Sequence, residues 1–261
     1  MPSKGKITAA QRRHRDYLRR RTLQVASVYE TRLEKDRRKE LRRVLSLAQD
    51  YTDPIALVPL LEGQIDETQY LGKWWQGLIV DAGLPMAKST ARDLRAMKAA
   101  EEEDVWLAGL RNFATKRAGV EIVVVTGTWK ETLVKLVRQI LAEDLGLGIE
   151  KVTKELYARY LATIEKWQCR RIAQTEAMIG MAEAADEAAK TLNIHFTKQW
   201  VISGLGNTRA SHELMDGVIV DENEPFVLPG GMMMYPHDTS MGADAGEIIN
   251  CACDCLRLPK R

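Results

Sequence analysis

The sequence predicts an α+β fold, a mainly helical N-terminal body with a small C-terminal antiparallel hairpin-rich α+β module. Three observations lead there. Aromatic residues make up 6% of the 261 positions while charged residues reach 28%, a balance that suits long solvated helical faces better than an all-β sandwich. Stretches free of Gly and Pro, with apolar residues three and four apart, recur through the first 190 or so positions, and this is helical periodicity. After Asn193 the texture changes to short apolar runs separated by Asp216-Gly217, Asp221 to Glu224 and Pro229-Gly230-Gly231, which is hairpin chemistry.

The expected organisation is a basic helical arm over 1–50, a helical body over 51–193 and the C-terminal module over 194–261. Within residues 8–50, Tyr17, Leu18, Val25, Val28, Leu33, Leu41, Val44, Leu45 and Ala48 recur at helical spacings. The stripe is thin, so this helix is expected to stay out of the core, with its arginines in water or on an anionic partner. Residues 1–45 hold 15 Lys and Arg against 5 Asp and Glu, leaving 23 against 31 for the rest. Such an excess is the electrostatic footprint of double-stranded DNA contact, for which Arg12, Arg13, Arg15, Arg19, Arg20, Arg21, Arg37, Arg38, Arg42 and Arg43 are the candidates. An acidic protein surface would satisfy the same charges.

Pro54 and Pro59 place a flexible join near 50–64, and Gly63, Gly72, Gly83 and Pro85 punctuate the chain beyond the prolines. A helix is expected from Thr90 to Arg117. The β-branched run Val120 to Val125 reads as a short extended segment, ended by Thr126-Gly127-Thr128. Thr128 and Glu131 then form a capping box for a helix through Leu141. Helices resume over 149–163 and 165–191, the second rich in alanine, and His195 to Ile202 alternates as a half-buried strand with Phe196, Trp200 and Ile202 on one face. No apolar run exceeds four residues, as in Ile122 to Val125, which excludes a helical membrane span of roughly 18 or more. The basic N-terminus has no apolar stretch behind its charges to read as a secretory signal, and four cysteines then point to a reducing compartment.

The sharpest local feature is Cys251, Cys253 and Cys255. In an extended chain, residues two apart point the same way, about 7 Å per step, and three thiols along one side suit a soft metal ion. Reduced thiols packed as small hydrophobes are the leading reading, since free cysteine is among the most buried residue types. His212 and His237 are the imidazoles available in the same module. On a short helix His212 and Asp216 share a face, so the carboxylate could orient the ring. Glu176 could pair with Arg170 or Arg209 and fix how helix and module dock. There is no G-x-S-x-G elbow, His-Glu-x-x-His or phosphate-cradling glycine loop. The expectation is a structural polar cluster that pins loops, with no catalytic residues.

In order, Ile172-Ala173-x-Thr175-Glu176, Trp200, Arg209-x-Ser211-His212-x3-Asp216-Gly217, Glu224-Pro225-Phe226, Pro229-Gly230-Gly231, Tyr235-Pro236-x-Asp238 and Glu247-Ile248-Ile249-Asn250-Cys251-x-Cys253 form one string. It resembles the phage Mu F-protein-like minor head family, the phage head morphogenesis proteins, over about residues 108–256. The family usually carries Arg between its two cysteines, where this chain has Ala252, and often Gly where this chain has His237; Cys255 is outside the pattern. No cofactor is expected; if the cysteines and histidine form a site, its family-matched members are His212, Cys251 and Cys253, and zinc is the metal it would take. The polar cluster would be Thr175, Glu176, Arg209, Ser211, His212 and Asp216. The resemblance implies a structural virion component, assembled in the host cytoplasm and lodged inside the head. Its partners would be the portal protein, the inner capsid and packaged DNA, in assembly or ejection. Related modules are sometimes fused to toxin or transferase domains. The alternative is a metal-dependent nuclease or transferase using His212 and the cysteine cluster.

Overall fold

A computed structural model describes residues 8–94, 102–144, 146–163, 165–205 and 208–260. Among the described residues six α-helices come first: α1 (Ala9–Leu47), α2 (Leu57–Gln64), α3 (Thr68–Asp93), α4 (Glu103–Glu143), α5 (Ile149–Thr163) and α6 (Glu165–Thr191). The C-terminal module comes next as β1 (Phe196–Ile202), α7 (Ala210–Met215), β2 (Ile219–Asp221), β3 (Phe226–Leu228), β4 (Gly231–Met233), α8 (Ala245–Ile248) and β5 (Cys253–Pro259). A mainly helical α+β chain with a small antiparallel module at its C-terminal end is therefore what the residues form. It divides into two compact units, 1–27 with 76–114 and 171–261, and 28–75 with 115–170, and the division falls inside α1, α3, α4 and α6.

In the first unit β1 is the centre of an antiparallel sheet ordered β2-β1-β5. Trp200 stands opposite Cys255 and Thr197 opposite Asp221, while β3 and β4 form a separate hairpin with Phe226 opposite Met233. Trp200, Phe226, Met233, Ile248 and the three module cysteines close a core with Ile179 of α6. The alanines of α6 serve close approach. A Cβ added to Gly83 would lie 2.9 Å from the carbonyl oxygen of Gly180, so here α3 and α6 pack with backbone against backbone. In the second unit Leu41 and Val44 of α1, Leu57, Leu60 and Leu61 of α2, Trp129, Leu133, Val137 and Ile140 of α4, and Leu156 and Tyr160 of α5 make the core.

Helix α1 corrects the expectation of a solvated arm. Leu18, Leu33, Leu41 and Val44 are fully buried, and the buried stripe is completed by polar side chains: Gln11, His14, Thr22, Glu30 and Arg37. Three of these polar groups meet specific partners. His14 Nε2 lies 3.1 Å from Asp254 Oδ2, Thr22 Oγ1 is 2.9 Å from Met178 Sδ, and Arg37 Nε donates to Glu67 Oε1 at 3.0 Å. A stripe counted from apolar residues alone looks thin because partnered polar groups fill its gaps.

Other segments also depart from the sequence pattern. The 50–64 segment carries short 3-10 turns at Ala48–Asp50 and Pro54–Ala56 and then α2, whose leucines are buried, so it is packed chain and not a flexible join. Helix α3 runs through Gly72, Gly83 and Pro85. The helix expected over Thr90 to Arg117 coincides with the end of α3 and the start of α4, and its middle, 95–101, lies outside the described residues. Val120 to Val125 is helical and sits inside α4, with Val120, Val123 and Val124 exposed. Extending an established helix costs each β-branched residue only about 0.7 kcal/mol or less. Thr128 accordingly caps nothing: it lies mid-helix and its hydroxyl donates to the Val124 carbonyl at 3.0 Å.

Candidate metal centre

The site is assembled in the first unit where the start of β5 meets α7 and α8. Arg209, in extended conformation, starts α7 and places His212 inward, 1% exposed. Asn250, at φ +59°, turns the chain between α8 and β5, its amide donating to Thr175 Oγ1 at 3.3 Å. That turn aims Cys251 inward. The Ala252 carbonyl accepts from the Ser203 amide at 3.1 Å and Cys253 begins the ladder with β1. His212 Nδ1 then lies 3.5 Å from Cys251 Sγ and 3.4 Å from Cys253 Sγ, all three residues buried. On the far side of the ring, Nε2 is 2.7 Å from Glu247 Oε2. Trp200 packs edge-on against the same ring with centroids 5.4 Å apart, and against Phe226 at 5.1 Å.

The electrostatics are set by two thiols sharing a buried space. A hydrogen bond from Cys253, helped by His237 and His212, holds the Cys251 thiol well below its ordinary value. The same bond, with burial, pushes Cys253 well above it, so the protein's own groups support one thiolate and not two. Burial works against a charged His212, but Cys251 and Glu247 outweigh it and raise the ring's pKa. Cys255 lies outside the donor group, its thiol pushed up to about 12 by burial.

The donors fit a zinc ion. Two sulfurs and an imidazole are its usual soft-to-borderline set, and zinc bonds of about 2.3 Å to sulfur and about 2.05 Å to nitrogen in tetrahedral array set a sulfur–nitrogen edge of about 3.6 Å, against the 3.4 and 3.5 Å found. A Glu247 carboxylate on the far imidazole nitrogen is the outer support that orients a metal-bound histidine. The recess over the site, lined by Ser203, Thr208, Arg209, Asn250 and Ala252, has a cavity volume of about 10 Å³. That is room for about one water or ion, against the roughly 300–1,000 Å³ of a small-molecule site.

The structure brings most of the predicted polar cluster together and reassigns its bonds. Ser211 Oγ donates to Glu247 Oε2 at 3.4 Å, Arg209 donates to the Ile249 carbonyl, and Thr175 holds the Asn250 turn. Asp216 does not orient His212. It accepts from Arg15 and from the Ile202 amide at 3.2 Å, and Glu247 takes the role expected of it. Glu176 is buried in α6, but neither expected arginine is shown as its partner: Arg170 donates to Glu30 at 3.2 Å and Arg209 to the backbone. Glu247 belongs to the same sequence string as His212 but stands 35 residues from it, and no local spacing marks such a pair.

The arginine candidates differ in burial and in partners. Arg37 is buried against Glu67 and cannot reach DNA. Arg15 pairs with Asp216, Arg21 with the Asp81 carbonyl, Arg38 with Glu34, Arg42 with the Tyr157 hydroxyl and Arg43 with Glu40. Arg42 and Arg43 stay exposed beside these partners, and Arg12, Arg13, Arg19 and Arg20 are exposed too, Arg20 donating to the Asp16 carbonyl at 3.2 Å; the last four stand as pairs two helical turns apart on one face of α1.

No family model matches this chain, and no solved structure matches it. Among curated proteins it is similar to the NAD(+)–arginine ADP-ribosyltransferase EFV of Enterococcus faecalis, 33% identical over 136 residues. The match covers 46% of this chain and 26% of that protein, so the chain spans about a quarter of the length of this relative.

Proposed function

We propose that this protein is a minor head component of a bacteriophage, acting in head morphogenesis at the portal and inner capsid, and that its C-terminal module is a metal-closed docking clasp that turns nothing over. The observation that carries this reading is the closure of the site. Residues from separate parts of the resemblance string, Thr175, Arg209, Ser211, His212, Glu247, Cys251 and Cys253, meet around one recess with about 10 Å³ of free space. A site that small holds an ion and rejects a substrate. The donor chemistry supports the clasp: a structural zinc is bound by protein ligands alone, and its binding free energy becomes folding free energy. The exposed arginines of α1 supply a face for packaged DNA or for an acidic portal surface.

Mass spectrometry of purified phage particles is the test. The chain should appear at a few copies per particle beside the portal, and its absence from particles would overturn the assignment.

A second reading is favoured by the Enterococcus match: that this chain has, or serves, an ADP-ribosyltransferase activity. The matched portion is about a quarter of that protein, a share that suits an accompanying module as well as a transferase domain. Incubating the full chain with labelled NAD+ and an arginine-bearing acceptor separates the two. Label transferred to arginine, and lost in His212→Ala with the fold retained, would favour the enzyme; no transfer would favour the clasp.

A further inference from the structure

We infer that His237 is the fourth ligand of the metal centre, so that the site is a closed two-cysteine, two-histidine structural zinc site. This rests on the clasp reading, which supplies the other three ligands, and it adds what they leave open: a three-ligand centre keeps a position for water, as catalytic zinc does, whereas a fourth protein ligand shuts it.

The ring of His237 is 3% exposed. Its Nε2 faces the Cys253 carbonyl oxygen at 3.1 Å. A carbonyl only accepts, so Nε2 carries the proton and Nδ1 is left with a lone pair. That Nδ1 is buried and meets no hydrogen-bond partner among the described residues, and a buried acceptor left unmet is destabilising. His212 is held in the same way at its Nε2, by an oxygen acceptor, and its Nδ1 faces the cysteine sulfurs. Such a fixed tautomer, with the far nitrogen tied to carboxylate or carbonyl, is how metal-binding imidazoles are held.

Position and charge agree. Its ring is close enough to the Cys251 side chain to interact with it directly, although His237 is not one of the residues whose donor atoms all lie within 4.8 Å of one another. Its loop is tied down by Asp238, which accepts from the amides of Met234 at 2.9 Å and Ser240 at 2.8 Å. The backbone of His237 has φ +76°, a conformation strained for a residue with a Cβ and open to glycine. Strain of that kind persists where the side chain is held for a purpose. Binding would release to solvent the remaining thiol proton, together with any second proton on the His212 ring, and bring two thiolates, two neutral imidazoles and one dication together. The assembly is neutral, as a buried site requires.

The test is cobalt(II) titration of the full chain, followed by zinc competition, for the wild type and His237→Gly. Glycine removes the imidazole and relieves the strain, so the variant keeps its fold. The wild type should show the intense visible absorption of tetrahedral cobalt together with near-ultraviolet thiolate charge transfer. His237→Gly should keep the thiolate band, lose most of the visible intensity, and bind zinc more than about 100-fold more weakly, since even outer partners of a ligand are worth 10–100-fold. An unchanged visible band and affinity would overturn the role of His237 and leave the clasp standing. Failure of the wild type to bind either metal would overturn both.

Discussion

Removing the Glu67 carboxylate while leaving Arg37 in place tests whether α1 is core or arm. Arg37 is 1% exposed and Glu67 is fully buried. The pair is bidentate, with Nε to Oε1 at 3.0 Å and Nη2 to Oε2 at 3.4 Å; Tyr70 donates its hydroxyl to Oε1 at 2.6 Å and the guanidinium lies 5.0 Å from the Trp129 ring centroid. Burial works against the charged form of Arg37, and Glu67 outweighs it, so the guanidinium's pKa is raised. Glu67→Ala therefore strands a buried cation, at a cost of about 3–5 kcal/mol. With a urea m-value of about 2 kcal/mol/M, the unfolding midpoint of the second unit should fall by about 2 M. The double change Arg37→Met with Glu67→Leu removes both charges and should recover most of that loss. The assay is urea unfolding monitored by tryptophan fluorescence and circular dichroism. A Glu67→Ala variant within about 0.5 kcal/mol of wild type, the size of an exposed pair, would refute the burial of α1.

Three further outcomes are expected. Gly83→Ala should lower the melting temperature, because the new Cβ meets the Gly180 oxygen and a Leu110 methyl at 2.9 Å; overpacking costs about 1–3 kcal/mol against a helix-propensity gain of about 1 kcal/mol, and a rise would show that α3 and α6 are not in close contact. Burial raises the pKa of Glu183, whose carboxylate accepts from the Tyr235 hydroxyl at 2.6 Å; the folded state then binds the proton more tightly than the unfolded state, so this contribution is full below the ordinary value near 4.3 and is lost as pH rises through the folded pKa. Glu183→Gln should flatten stability against pH above about 4, and an unchanged slope would refute the assignment. Replacing Arg12, Arg13, Arg19 and Arg20 by Gln removes four exposed charges; if all four meet phosphate, the log–log salt slope of DNA binding should fall by about 3.6, and an unchanged slope excludes that face. Deleting residues 1–50 is not an equivalent experiment, because it strips Leu18, Leu33, Leu41 and Val44 from the core.

Local periodicity and local turn chemistry are what the sequence makes legible. Helices over 149–163 and 165–191 and the strand ending at Ile202 coincide with α5, α6 and β1, because apolar spacing and flanking breakers act within a few residues. The grouping of His212 with Cys251 and Cys253, read from the family string, is the grouping the fold makes. The failures share a cause at long range. Arg37 looks like surface charge until Glu67, thirty residues on, is beside it. Val120 to Val125 looks extended until α4 is seen to be continuous on both sides. Asp216 is the acidic neighbour of His212 on the expected helix, but the helix ends at Met215 and the carboxylate turns to Arg15 and the Ile202 amide.

Elemental analysis of the purified full chain bears most directly on the claim that the module is held shut by an ion and performs no turnover. About one zinc per chain, removed by a chelator together with a fall in melting temperature, is the expected result. A chain that carries no metal and melts identically with and without chelator would contradict it.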